Sequence, residues 1–530
     1  MRLRLPRREL SAYRVYLLLE AGTSFLLGIA YATITVYWVT AGRLNALQLI
    51  LLGTGLELSY FVFQLPTGLL ADIVSRRLCV LAGLFLMGLA LVAEGASATF
   101  ANLLAVQFVL GLGYALNNGA QEAWIADELA GGPLPADAPI PAGGPLPDVG
   151  PAPGGGQRDP GPAPGTSPAA DVGTSPAADA GTSPAVAAGT SPAVAAGAGP
   201  GDEPAGHEMT GVYLRATQLG LVATVAGSLL SGPIAAGGLN LPLITGGALI
   251  CVLATVTALV MPERHFQRPA AAASIRILAR ESTGLLATQT RATRRAIVAV
   301  PGLVLLFGMT FFAGMWSESF DRLWGALLIR DIGIPKLAGL SPAIWFSLLA
   351  AVVAVLALGS TEVARRRAAR LGADSVASAV LALTVAIGIG VVAMATTHSF
   401  AAAVAAYLLI EVLRPVISPL IDGWMVTRIE PSVRATALSA RDMFDAGGQI
   451  VGGPVVGVVG TLTSIRVALL AGAAALAPAV ACLAAASGRI RPRPARAGTS
   501  IETGTGAETG TGAETATGSP TASAGPGLPG

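Results

Sequence analysis

Lysine is almost missing from this 530-residue chain, and charge of either sign is scarce: Lys336 is the one lysine, and charged residues make up 12%. Soluble domains carry about 25% charged residues, so this composition excludes an ordinary soluble protein. A net charge of +2 excludes the basic footprint of a nucleic-acid binder. Cysteine is scarce too. Cys79, Cys251 and Cys482 lie within or beside apolar segments, which excludes a disulfide framework and a zinc site. His207, His265 and His398 fall in loops or at span ends, so neither a membrane histidine relay nor a metal site is expected. A phosphate-binding loop and a nucleophile–base pair are lacking as well. No enzyme activity, no cofactor and no ATP drive within this chain is expected.

What the chain has is apolar length: 53% hydrophobic residues and a mean hydropathy of +0.66. About 20 apolar residues cross a bilayer as a helix. The runs predict spans near 14–40, 47–70, 77–95, 99–121, 211–232 and 239–261, then 297–320, 343–361, 374–396, 400–425, 435–460 and 464–486. The expectation is an all-α membrane protein of twelve transmembrane helices in two groups of six. Its parts are an N-terminal bundle in two pieces (1–130 and 208–261), an insert (131–207), a central loop (262–296), a C-terminal bundle (297–486) and a tail (487–530). No cleavable signal peptide is expected, because the basic start Met1–Arg14 runs into an apolar segment too long for one.

Arginine sets the orientation. Arg2, Arg4, Arg7, Arg8 and Arg14 precede span one, and Arg76 and Arg77 follow span two. The central loop holds Arg264, Arg268, Arg276, Arg280, Arg291, Arg294 and Arg295. Arg365, Arg366, Arg367 and Arg370 follow span eight, Arg428 and Arg434 flank the next connection, and Arg489, Arg491, Arg493 and Arg496 lie in the tail. The alternate connections hold only isolated Arg43, Arg330, Lys336 and Arg466. Every dense cluster falls on one side, which the positive-inside rule makes cytoplasmic. Both termini are expected there. Heavy use of Ala, Gly, Pro and Arg reads as a bacterial source, hence the plasma (inner) membrane.

Two stretches lack the apolar surface to offset ordering entropy. Gly131–Pro204 contains an eight-residue repeat beginning at Gly165, Gly173, Gly181 and Gly189, and the tail repeats TGTGAE around Thr503–Glu514. Both are expected to be disordered and cytoplasmic.

Span two ends in Gly68-Leu-Leu-Ala-Asp72-Ile-Val-Ser-Arg76-Arg77. A glycine lets helices approach, and an aspartate at a helix end meets arginines. The stretch resembles the loop signature between helices two and three of the major facilitator superfamily. A weaker echo, Gly359-Ser-Thr-Glu362-Val-Ala-Arg365-Arg366, follows span eight. Span five carries Gly227 and Gly232-Pro233, similar to the glycine–proline element of facilitator antiporters; span eleven carries Gly453-Pro454. Arg215-Ala-Thr217 and Arg434-Ala-Thr436 introduce these two spans, so the halves read as an internal repeat. Gly53-Thr-Gly-Leu-Glu57, Gly119 to Glu128, Met261-Pro-Glu263 and Glu318 to Trp324 resemble prokaryotic drug- and macrolide-efflux members. The resemblance implies two pseudo-symmetric six-helix bundles, a motif that latches the cytoplasmic side, and a monomer. One departure stands out. Where proton-coupled exporters carry an arginine in span four, this chain has Gln107.

Ionisable groups at membrane depth are functional candidates by default. Here they are Glu20, Glu57, Glu411 and Arg414, with Glu318, Asp321 and Arg322 towards the outer end of span seven and Arg441, Asp442 and Asp445 in span eleven. Glu411 and Arg414, three apart, could pair along one helix face. Tyr31, Tyr37, Trp124, Trp316 and Trp424 are the aromatic candidates for a cavity. The resulting expectation is export of a small, partly apolar compound across the lipid bilayer, with protons as coupling ion. Nutrient uptake on the same fold, or a membrane scaffold or sensor that does not transport, stay open.

Overall fold

A computed structural model describes residues 11–130, 203–266, 302–335, 339–368, 373–428 and 434–489, with isolated positions 284 and 291. Residues 131–202 of the insert, 490–530 of the tail and Lys336 lie outside the described residues, so most of the stretches expected to be disordered fall there. Among the described residues there is no strand. The first half comprises α1 (Ala12–Tyr31), α2 (Ala46–Ile73), α3 (Arg76–Ala96), α4 (Phe100–Ala130), α5 (Glu203–Ala235) and α6 (Leu241–Val260). The second comprises α7 (Leu303–Ala326), α8 (Pro342–Ala368), α9 (Ala373–Thr396), α10 (Phe400–Arg428), α11 (Arg434–Leu462) and α12 (Ile465–Arg489). Eleven of these are long and apolar enough to cross a membrane. The exception, α11, is 29 residues long and carries Arg441, Asp442 and Asp445. This is a multi-pass membrane protein.

Helix limits follow local chemistry. Asn45 opens α2 with a reciprocal capping box to Gln48, and the Ser75 hydroxyl accepts the Leu78 N–H at 3.0 Å to open α3. Pro66, Pro233, Pro415, Pro419, Pro454 and Pro478 sit inside helices, which packed membrane helices tolerate because neighbours re-satisfy freed backbone groups. Two expected boundaries move. α5 starts at Glu203, ahead of the expected end of the insert at residue 207. Span seven runs to Ile332 rather than ending near 320. Its charged stretch does not end the helix, because those side chains find partners within the protein.

The halves repeat one packing scheme. α1 packs on α5 and α6, and α3 on α4 and α6; in the same way α7 packs on α11 and α12, and α9 on α10 and α12. α1 and α7 each continue into a π-helical turn, Tyr37–Ala41 and Leu327–Ile332. The tightest crossings also repeat. A side chain at Gly227 would run into the backbone of α1 at Phe25, and one at Gly448 into the backbone of α7 at Phe311. Close backbone approach of this kind is what small residues allow in membranes. Large apolar side chains such as Val222, Leu259, Ile389 and Val451 are exposed, the surface expected where lipid is the solvent.

The halves meet through α2 with α11 and α5 with α8. The end bearing Arg76, Arg77 and Arg264 is called the basic end below, and the other the far end.

Candidate functional site

At the far end the halves are clasped by hydroxyl-to-backbone bonds. On α8, Ser347 Oγ accepts the Gly232 N–H at 3.0 Å and donates to the Ser228 carbonyl of α5. A hydroxyl from one half is thus inserted into the helical ladder of the other, just before Pro233. Its counterpart is Thr461 on α11, which accepts the Leu47 N–H of α2 at 3.0 Å and donates to its own Gly457 carbonyl at 3.0 Å. Arg330, on the π turn of α7, donates to the Val39 carbonyl on the π turn of α1 at 3.2 Å.

Between these ends lies a layer of buried charge. On α7, Glu318, Asp321 and Arg322 are each 2% exposed, so they are interior groups. Arg322 Nε donates to Glu318 Oε1 at 3.1 Å. Arg414 of α10 grips Asp321 with two bonds, 2.5 and 2.8 Å. That fork-on-carboxylate geometry is the strong form of ion pair. This pair runs between helices, from α10 to α7. Arg414 also lies 5.6 Å from the centre of the Trp316 ring, within cation–π range.

Arg322 and Glu318 cross to the other half. A side chain at Gly53 of α2 would overlap Glu318 Oε1 and the Arg322 guanidinium, so glycine makes room for the pair. One turn further along α2, buried Glu57 acts electrostatically on Arg322. The Arg322 guanidinium also stands 5.8 Å from the centre of the Trp38 ring. Gly453 of α11 packs against Glu318 and Ile50, while Pro454 is half-buried.

Nearer the basic end, Gln121 of α4 donates to Glu20 of α1 at 2.9 Å and accepts from Asn117 at 3.3 Å. Arg441 of α11 pairs with Asp422 of α10 and donates to Ser418 at 2.7 Å; Gln449 donates to Asp445 at 2.8 Å. Glu411 is buried on α10.

The loop motif forms a staple within the first half. Arg76 reaches Asp72 at 3.3 Å, the Ala123 carbonyl at 2.5 Å, and Asp127. The Ser75 hydroxyl donates to Glu263 at 2.8 Å, Glu263 accepts the Arg77 N–H at 3.1 Å, and Arg77 donates to the Ala258 carbonyl. Glu128 accepts the backbone N–H of Arg264 at 2.6 Å and of His265 at 3.2 Å. Three separate sequence fragments, around Asp72, Glu128 and Glu263, therefore tie α2, α3, α4 and the end of α6 together. Gly68 is half-buried at the start of this turn. Trp124 belongs to the staple and not to a cavity, because its indole N–H donates to the Pro262 carbonyl at 2.7 Å. Tyr31 bonds Tyr114 hydroxyl to hydroxyl at 2.9 Å, Tyr37 donates to the Glu94 carbonyl at 3.0 Å, and Trp424 is buried.

Sequence reasoning missed Glu94, fully buried on α3, together with Ser347 and Thr461. Glu94 stands one residue before the expected end of its span, where a carboxylate is unremarked, and hydroxyls are common in apolar helices. Only the neighbouring helices reveal what these side chains do.

No family profile and no curated protein matches the chain. Solved structures do. The nucleoside transporter NupG superposes with a TM-score of 0.59 at 13% identity, covering 90% of this chain and 99% of that one. A bacterial homolog of the human lysosomal transporter Spinster, in an inward-facing and occupied conformation, gives 0.58 at 14%, covering 93% and 100%. The peptide transporter POT in complex with sulfate gives 0.56 at 14%, covering 92% and 98%. The chain has the major facilitator fold.

Proposed function

We propose that the chain is a secondary active transporter that exports a small, partly apolar compound by proton antiport and alternating access. The observation that carries this reading is a buried layer of charge where the two halves meet, clasped at the far end by Ser347, Thr461 and Arg330. A scaffold has no use for such a layer, since charge at membrane depth is costly and is kept for pathways and relays. The fold supports alternating access by rocking of one half against the other. We take the basic end as cytoplasmic from the arginine distribution, which makes the clasped far end the outer one. The protein then lies in the plasma membrane of a bacterium with both termini inside, working as a monomer. Glu20, Glu57, Glu411 and Arg414 are its candidates for coupling and substrate contact. Asp72, Arg76 and Arg77 form the gate on the cytoplasmic side, with the half-wide staple as its anchor.

The test is growth inhibition of an efflux-deficient bacterial host across a broad antibiotic and dye panel, with Asp72→Asn at matched membrane abundance as control. Resistance to several compounds that vanishes in the variant is expected. Equal sensitivity with and without the chain across the panel would count against export. Uptake is the second reading, and Gln107 favours it: an uncharged amide holds the place of the exporters' arginine. Accumulation of a hydrophilic solute by the same cells would then replace resistance.

A further inference from the structure

Glu94 on α3 belongs to the first half, yet it feels a charge of the second. Its Oε1 accepts hydrogen bonds from Trp38 Nε1 of α1 at 2.8 Å and from Gln107 Nε2 of α4 at 3.2 Å. Its Oε2 is buried with no hydrogen-bond partner. Both donors are neutral. A carboxylate so placed keeps its charge only with help from a cation. The cation that acts on it is Arg322 of the second half, seated over the face of the same Trp38 that donates to Glu94.

The ionisable groups facing Glu94 are Tyr31 and Tyr37 on α1, Tyr114 on α4 and Arg322 on α7. From the start of α6 the neutral Asn240 reaches the adjacent Gly95 carbonyl at 3.1 Å. Arg322 is the one among them that leaves with the other half. When the far end opens, the guanidinium withdraws from Trp38 and the carboxylate loses its stabilising charge. When it closes, the guanidinium returns.

We propose that Glu94 is a proton-binding group linked to closure of the far end, protonated while the halves are apart there and ionised while Arg322 rests on Trp38. This rests on the proton-coupled reading above and names a group for it. The proton adds to Oε2 to give the neutral acid and returns to water as a proton on closure; no electron or other atom moves. Gln107 gains a role by the same geometry. In the place of the exporters' arginine it gives Glu94 a hydrogen bond without a permanent counter-charge, which leaves Arg322 to decide the charge state.

The test needs no substrate. Spin labels go on cysteines replacing Ala101 and Ala402, exposed at the starts of α4 and α10 at the far end of each half. The full chain, with Cys79, Cys251 and Cys482 changed to serine, is studied in lipid nanodiscs by electron–electron distance measurement. Lowering the pH from about 8 to about 5.5, across the range a perturbed carboxyl covers, is expected to move the wild type towards long far-end distances. Glu94→Gln is expected to hold the long distances at every pH. Trp38→Phe keeps the carboxyl but removes a donor, and is expected to raise the midpoint by about 1 pH unit, the worth of one hydrogen bond to a charged group. A Glu94→Gln chain that still follows pH as the wild type does overturns the assignment to Glu94 and leaves proton coupling standing. If Glu94→Gln fails to fold, an unmoved midpoint in Trp38→Phe overturns it equally. A wild type indifferent to pH overturns the linkage and the proton-coupled reading together.

Discussion

In the first half, buried carboxylates are held by neutral donors: Glu94 by Trp38 and Gln107, Glu20 by Gln121. In the second half, three carboxylates are held by arginines, Asp321 by Arg414, Glu318 by Arg322 and Asp422 by Arg441, while Asp445 is held by the neutral Gln449. The helix packing repeats between the halves, so the difference lies in side-chain chemistry alone. An ion pair out of water is locked, because neutralising one partner strands the other. A carboxylate held by amides and an indole can gain or lose a proton and keep its contacts. The three arginine pairs are thus the fixed charge of the second half, and Glu94 and Glu20 are carboxylates of the first half that can gain or lose a proton.

The comparison breaks most visibly at Asp321 and Arg414. Arg414→Ala leaves Asp321 buried without its fork and is expected to remove about 3–5 kcal/mol of stability. Thermal unfolding in detergent checks this, and Asp321→Asn added to Arg414→Gln is expected to recover most of the loss. Gly53→Leu strikes where the second half's ion pair crosses to the first. Overpacking of that kind costs about 1–3 kcal/mol, spent here on far-end closure. Thiol reactivity of cysteines at the far end is expected to rise, with the fold retained. Ser347→Ala removes one hydroxyl from the clasp and is expected to shift the same reactivity in the same direction by about 1 kcal/mol or less. Glu20→Gln is the mildest. An amide can still meet Gln121, so unfolding is expected to move by about 0.5 kcal/mol at most. A loss at Glu20 as large as that at Asp321 would erase the difference between the halves.

Much of the fold was legible in the sequence, since its signals are long. Spans show as apolar runs, and the alternation of arginine clusters checks their number. The two six-helix groups follow from the break between Pro262 and Arg295 and from the shared Arg-Ala-Thr openings. The staple was legible as fragments: Asp72 with Arg76 stands in one short stretch, but its union with Asp127, Glu128 and Glu263 depends on helix packing. The site was less legible for the same reason. Arg414 lies three residues from Glu411 in sequence and bonds Asp321 in space. Span seven was cut short because Asp321 and Arg322 looked like a helix end, whereas paired charges let the helix continue. Glu94 and Ser347 gave no signal, because their meaning resides in side chains of other helices.

The central claim, proton-driven transport by this fold, is tested most directly in proteoliposomes holding the full chain and a compound found in the resistance panel. The compound's movement is followed while a pH gradient of either sign is imposed with no initial difference in compound concentration. The account expects accumulation on the acidic side, reversing when the gradient is reversed and absent from protein-free vesicles. Movement that ignores the gradient, or no movement beyond that of empty vesicles, would contradict it.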